Sequence, residues 1–209
     1  MNELAEYLKS IQALKSPGLI SAFGRVDRRQ FVPEDLRARA YDDTALPIGC
    51  GQTISQPSTV AFMLELLNLA PGQKILDIGF GSGWTVALLA EATGGKGKVF
   101  GVEILPEIFF FGERNLKKYS GGGIELFRQS GNEGLPEFAP YDRILVSAAA
   151  DEVPQALFDQ LAIGGRMVIP IRLPLDPNHN QVLRLIIKNG RRKFEHRDYP
   201  GFVFVPFVK

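Results

Sequence analysis

The sequence predicts an α/β fold, a doubly wound, mostly parallel sheet with helices on both faces and antiparallel strands at its C-terminal end. Three observations predict it. Short apolar runs alternate with segments of helical periodicity through the middle of the chain. The first of those runs leads at once into a cluster of glycines, the signature of a tight strand-to-helix turn. The last third then loses its helical segments, and Asn189-Gly190, a hairpin-favouring dipeptide, separates two further apolar runs.

Taken in order, the first forty residues read as helical, with Leu4, Leu8 and Ile11 spaced by four and three. Pro17-Gly18 breaks that pattern, and a second short helix is expected over 19–29. Residues 46–57, LPIGCGQTISQP, read as extended or irregular chain, and their lack of charge implies packing against something. Helix fits 57–69, opened by Pro57 and closed by Pro71-Gly72. Strands follow at 74–78 and 98–103, each with an acid at or near its carboxyl end, separated by a helix over 85–92. Pro106 opens a helix reaching about residue 119. Strands are then expected at 124–128, 141–146 and 166–171, with a helix over 153–161 stopped by Gly164-Gly165. Residues 182–187 and 202–207 complete the sheet as antiparallel strands, a common finish for a parallel sheet.

A chain of 209 residues suits one ordinary domain. Apolar residues at 45% and a net charge of +1 exclude intrinsic disorder, a disulfide scaffold and a polybasic nucleic-acid surface. No run of about 18 apolar residues suggests a membrane span. The segment MNELAEYLKSIQAL does not read as a signal peptide, so a cytoplasmic protein is expected. Cys50 is the single cysteine and reads as structural filler; the two histidines, His179 and His196, lie among polar residues, and no metal site is expected.

In an open α/β sheet, ligands bind beyond the carboxyl ends of the strands where strand order reverses. Three features fall there. Gly79, Gly81 and Gly83 permit a tight turn and close backbone approach, but Trp84 stands where a dinucleotide fingerprint wants its third glycine, which disfavours a pyrophosphate-bearing ligand. Glu103 follows Gly79 by 24 residues and can accept both hydroxyls of a ribose. Asp77 precedes the glycines; it either favours a cationic ligand, such as an ammonium or sulfonium, or ties down the loop and the following helix. Each feature alone also reads as ordinary structure. Together they fit S-adenosylmethionine better than NAD or ATP, and no phosphate loop or Gly-x-Ser-x-Gly elbow is present.

The chain resembles the protein-L-isoaspartate (D-aspartate) O-methyltransferase family over essentially its full length. The resemblance rests on Phe31-Val32-Pro33, Ala40-Tyr41 with Asp43, the block running from Leu46-Pro47-Ile48-Gly49 through Gly51-Gln52-Thr53-Ile54-Ser55-Gln56-Pro57, and Leu76-Asp77-Ile78-Gly79 with Gly81-Ser82-Gly83. Ala148-Ala149, Pro154, Gln160-Leu161, Gly164-Gly165 and Phe204-Val205-Pro206 match the remaining landmarks. It implies a Rossmann-like methyltransferase of one domain, with residues 1–56 as a helical and substrate-loop subregion, 57–172 as the cofactor core and 173–209 as C-terminal strands. The implied reaction moves a methyl group from S-adenosyl-L-methionine to the free α-carboxylate of isoaspartyl residues in damaged proteins, leaving S-adenosyl-L-homocysteine. The implied catalytic residue is Ser55, with Leu46, Pro47, Ile48, Ile54 and Val205 on the substrate side. The cofactor side comprises Asp77, Gly79, Phe80, Gly81, Gly83, Trp84, Glu103, Ile104, Ser130 and Gly131. Isoaspartyl peptides and proteins are the expected partners, to a monomer that binds neither nucleic acid nor membrane.

Three departures stand out. Phe80 and Trp84 occupy positions where the family commonly has Thr and Tyr, removing hydroxyls and adding bulk beside the cofactor. Alignment through Gly131 and Gly134 puts Ser130 where an Asp usually accepts from the adenine amino group. Two alternatives remain open on the residues alone: a methyltransferase with another acceptor, small-molecule or nucleic acid, and a non-catalytic module that keeps the fold. The run 108–111, Ile-Phe-Phe-Phe, reads as a core-facing helix segment with one ring over the adenine or at its edge. Four such residues cannot all lie on one helical face, so some are expected to pack against a neighbouring helix or to form an exposed patch, an interaction surface being the alternative reading.

Overall fold

The computed structural model describes residues 2–119, 121–173 and 181–208; His179 lies outside them. The chain opens with α1 (Glu3–Ser10) and α2 (Pro17–Arg25), then two short 3₁₀ segments at Arg28–Gln30 and Glu34–Arg39. Helix α2 starts and stops earlier than the expected 19–29, because Pro17 takes the first-turn position where its missing N–H costs nothing. Residues 46–54, expected as extended or irregular chain, form a hairpin of β1 (Leu46–Gly49) and β2 (Gln52–Ile54) whose register shifts between Pro47 and Gly49. Its tip, Gly49-Cys50-Gly51, is left-handed at all three residues.

Helix α3 (Pro57–Leu67) leads into the main sheet. Its elements are β3 (Lys74–Ile78), α4 (Trp84–Ala92), β4 (Lys98–Glu103), α5 (Pro106–Leu116), β5 (Ile124–Arg128), β6 (Tyr141–Val146), α6 (Gln155–Gln160), β7 (Leu161–Arg172), β8 (Gln181–Gly190) and β9 (Lys193–Phe202). The strand order is β5-β4-β3-β6-β7-β8-β9. The five strands from β3 to β7 run parallel, while β8 and β9 are antiparallel, as the sequence led us to expect.

Strand alternation divides the core in two. Ile75, Val99, Leu145 and Val168 point into a cluster with the apolar residues of α1 to α5. Leu76, Ile78, Phe100, Val102, Ile144 and Val146 point the other way, toward Leu157 of α6 and the Phe127–Phe138 aromatics. Within α5, Ile108 and Phe109 are buried and Phe111 packs against the core, leaving Phe110 as the outward ring at 51% exposure.

Two expectations at the C-terminal end need correction. Helix α6 stops at Gln160, and Gly164-Gly165 lie inside β7, where the register with β6 shifts. The glycine pair therefore marks a bulge rather than a helix stop. The last strand is Lys193–Phe202, not 202–207, and Arg191-Arg192 make the turn just beyond Asn189-Gly190. It escaped notice because it is an edge strand whose exposed Glu195, Arg197 and Asp198 erase the apolar alternation. Residues 203–208 run extended, tied to the sheet through Ala149, which donates to Val205 O at 2.8 Å and accepts from Phe207 N at 2.9 Å. No helix among the described residues is long and apolar enough to cross a membrane.

Candidate active site

From β3 the chain moves outward to β4 and β5, then returns to place β6 on the other side of β3. The reversal falls between β3 and β6, so the crevice lies beyond Ile78 and Val146. The glycine loop fills one lip of it. Gly79, Gly81 and Gly83 all have positive φ, and the amides of Gly79 and Phe80 both donate to Val102 O. A side chain would strain each of these conformations. Helix α5 clamps the loop from behind. Asn115 Nδ2 donates to Ser82 O at 3.1 Å, and a Cβ on Gly112 would overlap Gly81 O and come within 2.7 Å of the Phe80 ring.

Two carboxylates stand at the strand ends. Glu103 is 7% exposed and oriented by backbone amides: Oε1 accepts from Ile104 at 2.8 Å and Leu105 at 3.0 Å, and Oε2 from Gly81 at 3.2 Å. Asp77 alternates onto the α4 side of the sheet and is fully buried. Its Oδ2 accepts from Thr85 Oγ1 at 2.5 Å, while Oδ1 has no partner. Burial pushes this carboxyl up to about 7, against the Thr85 hydrogen bond and with a further push from Glu103. Asp77 is not itself on the cleft wall; Thr85 and the glycine loop stand in front of it.

Phe80 and Trp84 touch the cleft, but most of their bulk is taken up elsewhere. Phe80 packs on Phe109, ring centroids 5.7 Å apart, in the space left by Gly112. Trp84 sits edge-on to Phe23 at 5.5 Å. Over its ring lies Arg28, which is fully buried and has no carboxylate in hydrogen-bonding contact. The Arg28 guanidinium instead donates to the carbonyls of Ala40 (2.7 Å), Asp42 (3.4 Å), Thr44 (3.1 Å) and Ser55 (3.0 Å). Burial lowers it to about 10, partly offset by Asp43 and Asp42, so it is a cation at neutral pH. Sequence reasoning missed this residue. Nothing in the local pattern marks it, since its partners are backbone groups 12 to 27 positions away.

The cleft has a volume of about 780 Å³, counting space open to solvent. It brings together Ile54, Ser55, Gly79, Phe80, Gly81, Trp84, Glu103, Ile104, Gly131 and Val205 from the expected set, adding Gln52, Thr53, Thr85 and Ser147. Gly83 lies behind it as the N-cap of α4. Leu46 is buried beneath the hairpin, Pro47 is exposed on it, and Ile48 rests over Gly81. Ser130 caps the turn at Gly131–Glu133, its hydroxyl accepting from Asn132 N at 3.2 Å. A second, wider groove, about 1180 Å³, opens beside the cleft between the Ala45, Gln56–Phe62 side and the chain from Gly201 to Val205.

This donor set fits an adenosyl sulfonium. An oriented, buried carboxylate at Glu103 suits a ribose diol, and the orphaned Asp77 Oδ1 calls for positive charge or a donor near the loop. No cationic side chain is among the residues lining the cleft to hold a phosphate. Residues 1–209 match the family model for Protein-L-isoaspartate(D-aspartate) O-methyltransferase. Among sequence relatives, the protein-L-isoaspartate O-methyltransferase of Methanopyrus kandleri is 45% identical over 206 residues, covering 98% of this chain and 89% of its own. That of Aeropyrum pernix is 43% identical, covering 96% and 78%. A Plasmodium falciparum protein-L-isoaspartate O-methyltransferase, crystallised with S-adenosyl-L-homocysteine, superposes with a TM-score of 0.87 at 27% identity, over 98% of this chain and 96% of that one. A second solved protein-L-isoaspartate O-methyltransferase gives 0.91 at 30% identity, over 99% and 65%. The chain belongs to the protein-L-isoaspartate (D-aspartate) O-methyltransferase family.

Proposed function

We propose that the protein methylates the free α-carboxylate of L-isoaspartyl residues in peptides and proteins, using S-adenosyl-L-methionine and initiating repair through a methyl ester and succinimide. The observation that carries this reading is the meeting of two cavities at Ser55: a cleft suited to an adenosyl sulfonium and an open groove of about 1180 Å³ beside it. S-adenosylmethionine supplies a methyl group on a sulfonium; the acceptor carboxylate supplies the electron pair of the new O–CH₃ bond while the pair of the broken S–CH₃ bond stays on sulfur as S-adenosyl-L-homocysteine leaves, so no proton need move. A carboxylate of pKa about 4 is already ionised at neutral pH, which explains why the site, among the described residues, has hydroxyls and amides but no histidine base.

The residues of this chain bind and align. Glu103, with Ile104 beside it, would hold the ribose, and the glycine loop would carry the methionine portion with Asp77 behind it. Gly131 would flank the adenine, with the Ser130 hydroxyl as an uncharged acceptor. Ser55 would donate to the acceptor carboxylate, its own backbone steadied by Arg28. Ile54 and Val205 would border the peptide, Leu46 and Ile48 supporting the hairpin from below. Proximity and orientation are the main source of acceleration such a site can offer.

We further infer a monomer in the cytoplasm that has no nucleic-acid partner. The exposed free thiol of Cys50 suits a reducing compartment, and the near-neutral net charge of +1 gives no basic footprint. The deciding experiment incubates the protein with labelled S-adenosylmethionine and two matched peptides, one carrying isoaspartate and one ordinary aspartate. A base-labile methyl ester on the isoaspartyl peptide alone is expected. Equal labelling of both, or of neither, overturns the acceptor assignment.

A further inference from the structure

The cleft and the peptide groove share four lining residues: Thr53, Ser55, Ser147 and Val205. Methyl transfer joins an atom held in one cavity to an atom held in the other, so this throat is where the reacting groups meet. Three of the four residues carry hydroxyls, but they are not equivalent. Thr53 is exposed on the outer side of β2, opposite Pro47. Ser55 and Ser147 are half-buried. At both, backbone atoms make the hydrogen bonds. Ser55 C=O accepts from Arg28, and Ser147 N donates to Ile78 O at 2.9 Å. Among the described residues, neither hydroxyl has a partner.

We propose that Ser147 is a second hydroxyl donor to the acceptor carboxylate, facing Ser55 across the throat. The assignment rests on the acceptor chemistry given under Proposed function and adds a residue to it. Ser147 directly follows β6 at the strand-order reversal, and its Cβ lies 4.0 Å from where a Cβ on Gly79 would stand. It thus borders the glycine loop, on the cofactor side. The strand also links it to the substrate side, because Ala149, two residues on, is hydrogen-bonded to Val205 and Phe207. Ser55 sits just past the end of a short hairpin strand, whereas Ser147 projects from the end of a central sheet strand, the more rigid of the two supports.

The chemistry explains the need for two donors. A carboxylate with one anchored oxygen still swings about that contact, and a second donor fixes its plane. Neutral hydroxyls do so while leaving the attacking oxygen its charge, which a directly bonded lysine or arginine would withdraw.

The test uses the full chain and compares Ser147→Ala, Ser147→Thr, Ser55→Ala and the Ser55→Ala, Ser147→Ala double variant with the unaltered protein, reading peptide kcat and KM, S-adenosylmethionine Kd by calorimetry, and the thermal midpoint. Ser147→Ala is expected to lower kcat/KM for the isoaspartyl peptide by about ten- to a hundred-fold, the effect of losing one hydrogen bond to a charged group. The cofactor Kd and the midpoint stay put, and Ser147→Thr recovers most of the loss. The double alanine variant loses less than the product of the single losses, because both hydroxyls act on one carboxylate. An unchanged kcat/KM in Ser147→Ala overturns the inference alone, as does a loss matched by weaker cofactor binding. An unaltered protein that leaves the isoaspartyl peptide unmethylated overturns the acceptor reading and this inference with it.

Discussion

Replacing Asp77 by Asn tests the electrostatics of the loop more directly than any other single change. The side chain keeps its shape and loses its charge. In the structure that charge sits in a fully buried position, with one oxygen on Thr85 and the other without a partner. Burial raises the carboxyl from 3.8 to about 7. The unfolded chain therefore ionises first as pH rises, and between those values the folded state holds the extra proton. Stability must then fall with rising pH across that window, the reverse of the usual behaviour of a salt-bridged carboxylate. About three pH units correspond to roughly 4 kcal/mol as an upper bound. The slope appears in the difference between the two proteins, since the lowered carboxyls of Asp27 and Asp198 titrate alike in both. Urea unfolding at pH 5, 6, 7 and 8 should show Asp77→Asn gaining on the parent by about 2–3 kcal/mol between pH 5 and 7, then holding level. In calorimetry the parent should release a proton on binding S-adenosylmethionine near neutral pH, because a cation nearby favours the ionised form, and the variant should bind more weakly without release. A stability difference that stays flat from pH 5 to 8 would refute the argument.

Other expectations follow from named contacts. Arg28→Met leaves the carbonyls of Ala40, Thr44 and Ser55 without their donor; it should cost about 2–4 kcal/mol in denaturant titrations and raise the peptide KM, with Arg28→Lys intermediate. Gly112→Ala drives a methyl group into Gly81 O, so the loop must shift; a stability loss of about 1–3 kcal/mol and at least roughly tenfold weaker cofactor binding are expected by unfolding and calorimetry. Ser130→Asp keeps the cap on Asn132 N and adds the charge that the family resemblance implies there; calorimetry should show S-adenosylmethionine binding about tenfold tighter, and an unchanged Kd would mean that this position does not face the adenine.

The central sheet was legible because three of its strands, 74–78, 98–103 and 141–146, are short apolar runs buried on both faces between turn residues. The edge strand 124–128 is only half-buried, but its apolar positions between turn residues still carried it, and all four strands begin and end as read. Legibility failed where burial became one-sided or the backbone irregular. Strand β9 carries its charges outward at the sheet edge, and the 203–208 chain is apolar without being a strand, because it walls the cleft and groove instead of extending the ladder. In the site, the glycines and Glu103 were found through strand order, a property that sequence spacing records. Arg28, Thr85 and Ser147 were not, because each acquires its role from what stands opposite it in space, and no spacing along the chain encodes that.

The placement of charge in the site follows from an acceptor that arrives already negative. A cation in direct contact with the carboxylate would bind it well and blunt it as a nucleophile. This chain keeps the fully buried Arg28 guanidinium a layer back, on the far side of the Ser55 peptide, where its Nη groups donate to backbone carbonyls rather than to a carboxylate. From there Arg28 rigidifies the substrate loop and, through Trp84, touches the cofactor wall, while its field still favours an anion at the throat. Asp77 is the counterpart on the other side: a carboxyl one layer behind the glycine loop, without a full set of partners, that becomes fully anionic as a cation sits before it. The two buried charges thus polarise the throat in the sense that brings a sulfonium and a carboxylate together. Neither need touch the reacting atoms, which leaves direct contact to hydroxyls and amides.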